Sequence, residues 1–123
     1  MIVLVIGSAL REVSDVQERL GMTFLEAAST APKYRLYSLE ARWAALVEDH
    51  EAGTSVAGEL VEIPDELWGE VVASEPPGIT PGPVELADGR TVLAALGDQA
   101  HLREHGVEIT EFGSFLAYLR ARR

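Results

Sequence analysis

The stretch PVELADGRTVLAAL, residues 83–96, is the clearest piece of local structure in the chain. Two runs of strand-forming residues flank Asp88-Gly89, a pair that favours the tight type I′ turn of a β-hairpin. The segment therefore predicts two antiparallel strands. The rest of the chain is assigned outward from this hairpin.

Upstream of the hairpin the sequence predicts short strands and two helices. The apolar, β-branched start of the chain favours a buried strand, and Pro64 suits the first position of a helix. Predicted strands cover residues 2–6, 22–30, 34–39 and 55–63, and predicted helices cover residues 14–21 and 64–74. The strands of residues 22–30 and 34–39 are expected to be neighbours, and residues 40–54 are interpreted as a loop.

Downstream of the hairpin, residues 97–108 are interpreted as an irregular connection, and Thr110 as the N-cap of a last helix. Its apolar side chains recur with helical spacing at Phe112, Phe115, Leu116 and Leu119. The element order predicts a mixed α+β domain with flanking helices and a sheet that curls into a small barrel. A doubly wound fold is disfavoured, because it needs a regular alternation of strands and helices.

Composition limits the classes of partner. The 123 residues suffice for one domain spanning 1–123, and 20 acidic against 10 basic residues give a net charge of −10. Such a chain repels phosphate backbones and anionic membranes, so neither nucleic acid nor a membrane is expected as a partner. The absence of cysteine excludes disulfides and thiolate metal sites, and fits a cytoplasmic location. Arg120, Arg122 and Arg123 suit the negative end of the last helix dipole.

Glu75 is the carboxylate with the most unusual predicted position. At ~100° per residue, Leu67, Trp68 and Val71 form an apolar arc of the helix, and Glu75 lies near the centre of that arc. There it loses hydration and meets the negative end of the helix dipole, which raises its pKa and suits a general base. The alternative is that Pro76 unwinds the last turn and releases the side chain into water.

Three segments resemble successive motifs of the C-terminal domain of allophanate hydrolases: TAPKYRLYSL (30–39), VELADGRTV (84–92) and ITEFGSFLAYL (109–119). Their order and spacing agree over nearly the whole chain. The resemblance implies the fold of the gamma-glutamylcyclotransferase-like superfamily, an α+β domain around a small mixed barrel.

In that superfamily the turn after the first strand binds a substrate carboxylate, and an acidic residue acts as base. Residues 6–10, IGSAL, match the turn in Gly7 and Ser8 and depart from it in Ile6 and Ala9; Leu10 completes it. Glycine lets a backbone approach a ligand, and successive amides form an anion-binding nest. Glu75 matches the acid position. Allophanate hydrolase domains usually carry a histidine in the turn where this chain has Ala9, so their proposed decarboxylation does not carry over.

The resemblance leaves two functions open. The first is an enzyme acting on a small carboxylate-bearing amide, a gamma-glutamyl or a ureido compound, with Glu75 as base, residues 6–10 and Tyr37 binding substrate, and no cofactor or metal. The second is a non-catalytic domain that binds a small carboxylate or assembles with an amidase. A homodimer is compatible with both.

The remaining candidates have ordinary explanations. HLREH, residues 101–105, fits a zinc-protease pattern formally, but a loop ended by Gly106 and a missing third ligand argue against it. Tyr34 and Tyr37 should face opposite sides of one strand, where an aromatic more often belongs to a core than to a site. Ser8 lacks a histidine partner, and the tryptophans Trp43 and Trp68 are expected in the core or in an interface.

Overall fold

The computed structural model describes residues 1–122 and shows an α+β fold with one curled eight-stranded sheet. The strands are β1 (Ile2–Val5), β2 (Thr23–Ser29), β3 (Tyr34–Leu39), β4 (Trp43–Glu48), β5 (Ala57–Glu62), β6 (Ile79–Glu85), β7 (Thr91–Gly97) and β8 (Val107–Glu108). The helices are α1 (Val16–Arg19), α2 (Trp68–Ala73), α3 (Gln99–His105) and α4 (Phe115–Ala121), with 3₁₀ turns at Asp65–Leu67 and Thr110–Phe112. The predicted fold class is confirmed.

Strand β7 organises the sheet. It pairs with β6 along its whole length, as the hairpin prediction requires. Its other edge is shared by two parallel strands, β1 through Val3 opposite Leu93 and β4 through Leu46 opposite Leu96. The turn after β1 therefore lies beside the start of β4, and this junction positions the site described below.

The sheet curls back on itself beyond these strands. The order runs β2-β5-β1-β7-β4-β3-β8, with β6 on the free edge of β7. An isolated bridge joins Thr30, after β2, to Leu86, after β6. Backbone hydrogen bonds from Ala31 to Glu85 and from Ala87 to Ser29, both 2.9 Å, hold this contact. Pro81 and Pro83 lie in β6, which pairs with β7 alone, and proline is tolerated in such an edge strand.

Two hydrophobic clusters cover opposite faces of β1. The larger one contains Leu4 and joins strands from both halves of the sheet to Phe115 of α4. The smaller one contains Val3, and the half-buried face of α2 packs on it. Because neighbouring residues of a strand point to opposite faces, α2 lies on the side of β1 away from the larger cluster.

Two strand predictions were wrong. β2 pairs with β5 and β3 pairs with β4 and β8, so β2 and β3 are not neighbours. The segment interpreted as a loop contains β4. Its consecutive residues Ala44, Ala45 and Leu46 are all buried, so the strand shows no alternation, and alanine has little strand preference.

The connection after β7 is a helix rather than irregular chain. Asp98 caps α3 by accepting a hydrogen bond from the His101 amide, and Gly106 ends it. Leu102 is its one buried residue, too few for an amphipathic pattern. The last helix also begins later than expected: Gly113, with a φ of 75°, separates the Thr110 turn from α4, and Ser114 is the N-cap.

The hairpin turn differs from its predicted type. Gly89 has a φ of 92°, but Asp88 does not have a positive φ, so the turn is not type I′, which needs both. The Gly89 amide donates to the Leu86 carbonyl at 3.0 Å instead. Arg122 follows α4 as its C-cap, and Arg123 lies outside the described residues. Within residues 1–122, no helix has the length and apolar character needed to cross a membrane.

Candidate functional site

A cavity of about 370 Å³ lies between β1, the start of β4 and the α2 region. This volume is within the usual range for small-molecule sites. The turn after β1, α1 and the central part of β7 complete its wall. Most of the lining is apolar, and Arg19, Arg42, Glu70 and Glu75 supply its charged groups.

Helix α2 forms an unusually open wall of this cavity. Its predicted apolar arc packs on the cluster around Val3 through Leu67, Trp68 and Val71. None of the residues of α2 is buried, and Val72 is 37% exposed. The arc that the sequence assigns to a core therefore also faces a space large enough for a ligand.

The turn after β1 presents free backbone amides at this cavity. Ile6, Gly7, Ser8 and Ala9 all line it. A Cβ on Gly7 would lie 3.1 Å from the Cβ and the backbone nitrogen of Ala44, a close contact that favours glycine at this position. Within residues 1–122, the amides of Gly7, Ser8 and Ala9 have no hydrogen-bond acceptor. Successive free amides in a turn are the donors of an anion-binding nest.

The carbonyl groups of the same turn are bonded to the protein. Ser14 Oγ donates to the Ser8 carbonyl at 2.5 Å, and Gln17 Nε2 donates to the Ala9 carbonyl at 2.9 Å. Gln17 is 4% exposed and also donates to Glu59 Oε1 at 2.9 Å. The turn is thus fixed through its acceptors, and its donors remain for a ligand.

Leu10 and Tyr37 do not line the cavity with the other predicted substrate-binding residues. The Leu10 amide donates to the Gly7 carbonyl at 3.0 Å, and its side chain is buried in the larger cluster. Tyr37 packs in a separate cluster with Leu39 and Leu102. Tyr34 faces the other side of β3, as expected, and its hydroxyl accepts from the Glu85 amide.

Glu75 lies just beyond α2 and lines the cavity. The helix ends at Ala73, but the Glu75 amide still donates to the Val72 carbonyl at 3.2 Å, so the chain keeps winding. Burial raises the pKa of its carboxyl group above the ordinary glutamate value. Within residues 1–122 this carboxyl group makes no hydrogen bond or ion pair. The helix therefore ends within one residue of the predicted end, and the Glu75 side chain remains partly withdrawn from water.

The segment after Glu75 is anchored to α3. Gly78 has a φ of 89°, and a Cβ there would lie 2.4 Å from Cδ2 of His101. The Asp98 amide donates to the Gly78 carbonyl at 2.8 Å. This contact gives His101 a packing role. The rings of His101 and His105 lie 4.6 Å apart on α3, and residues 1–122 contain no group of three or more metal-ligating side chains placed to hold an ion.

Arg42 and Trp43 are cavity residues that the sequence reasoning missed. The Arg42 guanidinium lies over the Trp43 ring, 4.7 Å from its centroid. Their position depends on the β3–β4 hairpin, and residues 40–54 carried no strand pattern that would have revealed it. Trp43 and Trp68 pack against the core clusters, as expected, and also line the cavity.

The fold is that of a small α+β domain similar to the gamma-glutamylcyclotransferase-like fold. A solved gamma-glutamyl cyclotransferase superposes with a TM-score of 0.57 at 13% identity, over 88% of this chain and 69% of that one. The chain belongs to the allophanate hydrolase C-terminal domain family, whose model matches residues 1–120. The resemblance drawn from the sequence motifs is confirmed.

Some of the relatives are much longer than this chain. Urea amidolyase of Lachancea kluyveri is 28% identical over 108 residues, which are 83% of this chain but only 6% of that protein. Kluyveromyces lactis allophanate hydrolase shares the fold with a TM-score of 0.88 at 23% identity, over 99% of this chain and 21% of that one. By contrast, the uropathogenic E. coli-specific protein c4763 matches over nearly its whole length, with 32% identity and a TM-score of 0.86 over 96% of this chain and 94% of that one.

Proposed function

We propose that this chain binds a small carboxylate-bearing amide, of the gamma-glutamyl or ureido class, and acts on it with Glu75 as general base. The observation that carries the proposal is the composition of one cavity wall. Free amides of Gly7, Ser8 and Ala9 and the unpaired, partly buried carboxyl of Glu75 line the same space. Anion-binding donors and a base with a raised pKa are the two groups such a reaction needs.

The roles follow from the chemistry of each group. The substrate carboxylate accepts hydrogen bonds from the turn, which orients the amide or ureido group towards the rest of the cavity. Glu75 then takes a proton from the attacking nitrogen of the substrate and returns it to the leaving nitrogen as the bond between that nitrogen and the carbonyl carbon breaks. Its raised pKa makes it a stronger base than an exposed glutamate, closer to the neutral range in which proton transfer is most effective. This proton transfer needs neither a metal nor a cofactor.

The chemistry suggested for other allophanate hydrolase domains uses a histidine in the first turn. This chain has Ala9 at that position, and an alanine side chain cannot transfer a proton. Within residues 1–122, several ionisable side chains line the cavity, and among them only that of Glu75 is partly buried.

The test combines binding with turnover. The purified chain is screened with gamma-glutamyl amino acids and ureido acids at millimolar concentration, by thermal shift and by product detection. Binding raises the melting temperature, since a ligand stabilises only the folded state. Glu75→Gln is expected to retain binding and lose turnover by at least about 100-fold, the contribution of a general base.

Glu66→Gln is the matched control, because it removes the same charge from an exposed position before α2. Turnover that survives Glu75→Gln unchanged would contradict the catalytic proposal. If no compound of either class shifts the melting temperature, binding in this form is wrong as well.

A second function is favoured by the length of the relatives. The matched segment is 6% of the Lachancea kluyveri urea amidolyase and 21% of the Kluyveromyces lactis allophanate hydrolase chain. We propose as the alternative that this chain assembles with an amidase of the allophanate hydrolase type, in urea or allophanate metabolism. Size-exclusion chromatography with such an amidase from the same genome tests it. Co-elution supports assembly, and separate elution contradicts it; the chain alone reports whether a homodimer forms.

A further inference from the structure

Arg42 is a cation without a carboxylate partner in a strongly acidic chain. The arginines Arg11, Arg19, Arg35, Arg90 and Arg120 each lie within 4.0 Å of a carboxylate. Within residues 1–122, no carboxylate comes that close to the Arg42 guanidinium. Arg103 and Arg122 also lack such a partner, but they do not line the cavity. Arg42 is therefore a positive charge at the cavity that the described protein does not neutralise.

The guanidinium is held in place by its own aromatic neighbour. It lies 4.7 Å from the centroid of the Trp43 ring, a distance at which a cation is attracted to an aromatic face. This contact places the exposed guanidinium beside the Trp43 ring, which lines the same cavity, and its N–H groups can donate to a carboxylate.

The turn that carries Arg42 is strained and specifically supported. Glu40 and Ala41 have φ values of 58° and 53°, a conformation that costs a residue with a Cβ roughly 1–2 kcal/mol. Ser38, which is 1% exposed, accepts a hydrogen bond from the Ala41 amide at 3.1 Å. The Arg42 amide donates to the Leu39 carbonyl at 3.1 Å. Positive φ at both central residues is what a type I′ turn between antiparallel strands requires, so the β3–β4 hairpin itself fixes the position of Arg42.

This turn is close to the free amides of residues 7–9. Ala44 contacts Gly7 directly, and Arg42 precedes Ala44 by two residues. Two residues of extended chain span at most about 7 Å, within reach of an arginine side chain. A ligand with a few carbon atoms between two acidic groups can thus contact both places.

We propose that Arg42 binds a second acidic group, so that the ligand of this cavity is a small diacid. One carboxylate occupies the amides of Gly7, Ser8 and Ala9, and the other acidic group pairs with the guanidinium stacked on Trp43. The inference rests on the proposed function, since it takes the turn as the first subsite. It adds the charge class of the ligand and names Arg42 as the residue that selects it.

The experiment compares glutarate, a diacid, with butyrate, which is glutarate with one carboxylate replaced by hydrogen. Both are titrated into ¹⁵N-labelled protein at mildly acidic pH, where the Nε–H of an arginine is observable by NMR. Butyrate is expected to shift the amides of residues 7–9 alone. Glutarate is expected to shift these amides and Arg42 Nε–H, and to bind about tenfold more tightly, as for one charge-assisted contact.

Two variants distinguish a direct contact of Arg42 with the second carboxylate from a nonspecific effect of net charge. Arg42→Gln is expected to abolish the preference for glutarate while both acids still shift the amides of residues 7–9. Arg103→Gln removes the same charge from an exposed position on α3 and is expected to keep the preference. Equal glutarate affinity in wild type and Arg42→Gln would overturn the inference and leave the proposed function intact. If neither acid shifts the amides of residues 7–9, both the proposed function and the inference are wrong.

Discussion

Gly7 and Ala44 touch at the junction of two strands: a Cβ on Gly7 would lie 3.1 Å from the Cβ and the backbone nitrogen of Ala44. Through this contact the free amides after β1 lie next to the hairpin that carries Arg42 and Trp43. The same junction exists because β1 and β4 share one edge of β7. The architecture of the candidate site thus follows from the topology of the sheet.

Gly7→Ala is expected to lower the free energy of unfolding by about 1–3 kcal/mol, because the added methyl group overpacks a backbone contact. Gly69→Ala is the control: nothing lies within 4 Å of a Cβ there, and alanine in a helix gains about 0.5–1 kcal/mol over glycine. Denaturant unfolding of both variants measures the difference. A Gly7→Ala protein as stable as wild type would show that the junction has room.

Gly78 and Gly89 provide a matched pair that tests the anchoring of the Glu75 segment. Both have a positive φ, of 89° and 92°, so alanine is strained by roughly 1 kcal/mol at either position. A Cβ at Gly78 would also meet the His101 ring, whereas nothing lies within 4 Å at Gly89. Gly78→Ala is therefore expected to destabilise the protein by about 1–3 kcal/mol more than Gly89→Ala. Equal loss in thermal or chemical unfolding would mean that α3 does not hold this segment.

Gln17 is expected to position the anion-binding turn through the Ala9 carbonyl. Gln17→Met keeps the shape of the buried side chain but removes both donors, leaving the Ala9 carbonyl unpaired at a cost of about 1–3 kcal/mol. Part of this cost is offset, because Gln17 Oε1 is buried without a partner. Gln99→Met, an exposed substitution at the start of α3, is the control. If Gln17 positions the turn, butyrate affinity falls in Gln17→Met and stays unchanged in Gln99→Met. Unchanged affinity in Gln17→Met would contradict this positioning role.

The raised pKa of Glu75 predicts how stability changes with pH. The folded chain holds this proton more tightly than the unfolded chain, whose glutamate pKa is about 4.3. The stabilising contribution is therefore complete below that pH and is lost as the pH rises through the folded value. Relative to wild type, Glu75→Gln should gain stability over this window in denaturant unfolding at several pH values. Subtracting the stability change of Glu66→Gln at each pH removes the effect of the lost charge. A remaining difference in unfolding free energy that does not vary with pH would contradict the burial of Glu75.

The fold class could be predicted because the decisive signals are local. Alternating strand residues around Asp88-Gly89 place the hairpin, and an apolar, β-branched run places β1. Strand β4 was not predicted because it is buried on both faces and rich in alanine. Helix α3 was not predicted because it buries only one residue, Leu102, and so shows no amphipathic pattern. Strand partners depend on long-range pairing, which a local pattern does not encode.

Some residues of the candidate site could likewise be singled out from the sequence, and others could not. The turn and Glu75, which line the cavity, were singled out from local patterns: a strand followed by glycine, and a carboxylate on an apolar arc. Arg42 was missed because its place depends on two positive φ values at Glu40 and Ala41, residues without a preference for that conformation. Leu10 was assigned to the site although its amide is used within the turn, which only the three-dimensional hydrogen bonds reveal.

We expect Glu75 to lie close to a ligand whose carboxylate is bound by the amides of residues 7–9. NMR detection of the ¹³C carboxyl signal of Glu75 during a pH titration, with and without saturating butyrate, tests it most directly. We expect a titration midpoint above the ordinary glutamate value that rises further with butyrate, because a nearby anion disfavours the charged form of Glu75. A midpoint at the ordinary value that ignores butyrate, while the amides of residues 7–9 shift, would place Glu75 away from the ligand and contradict its role as base.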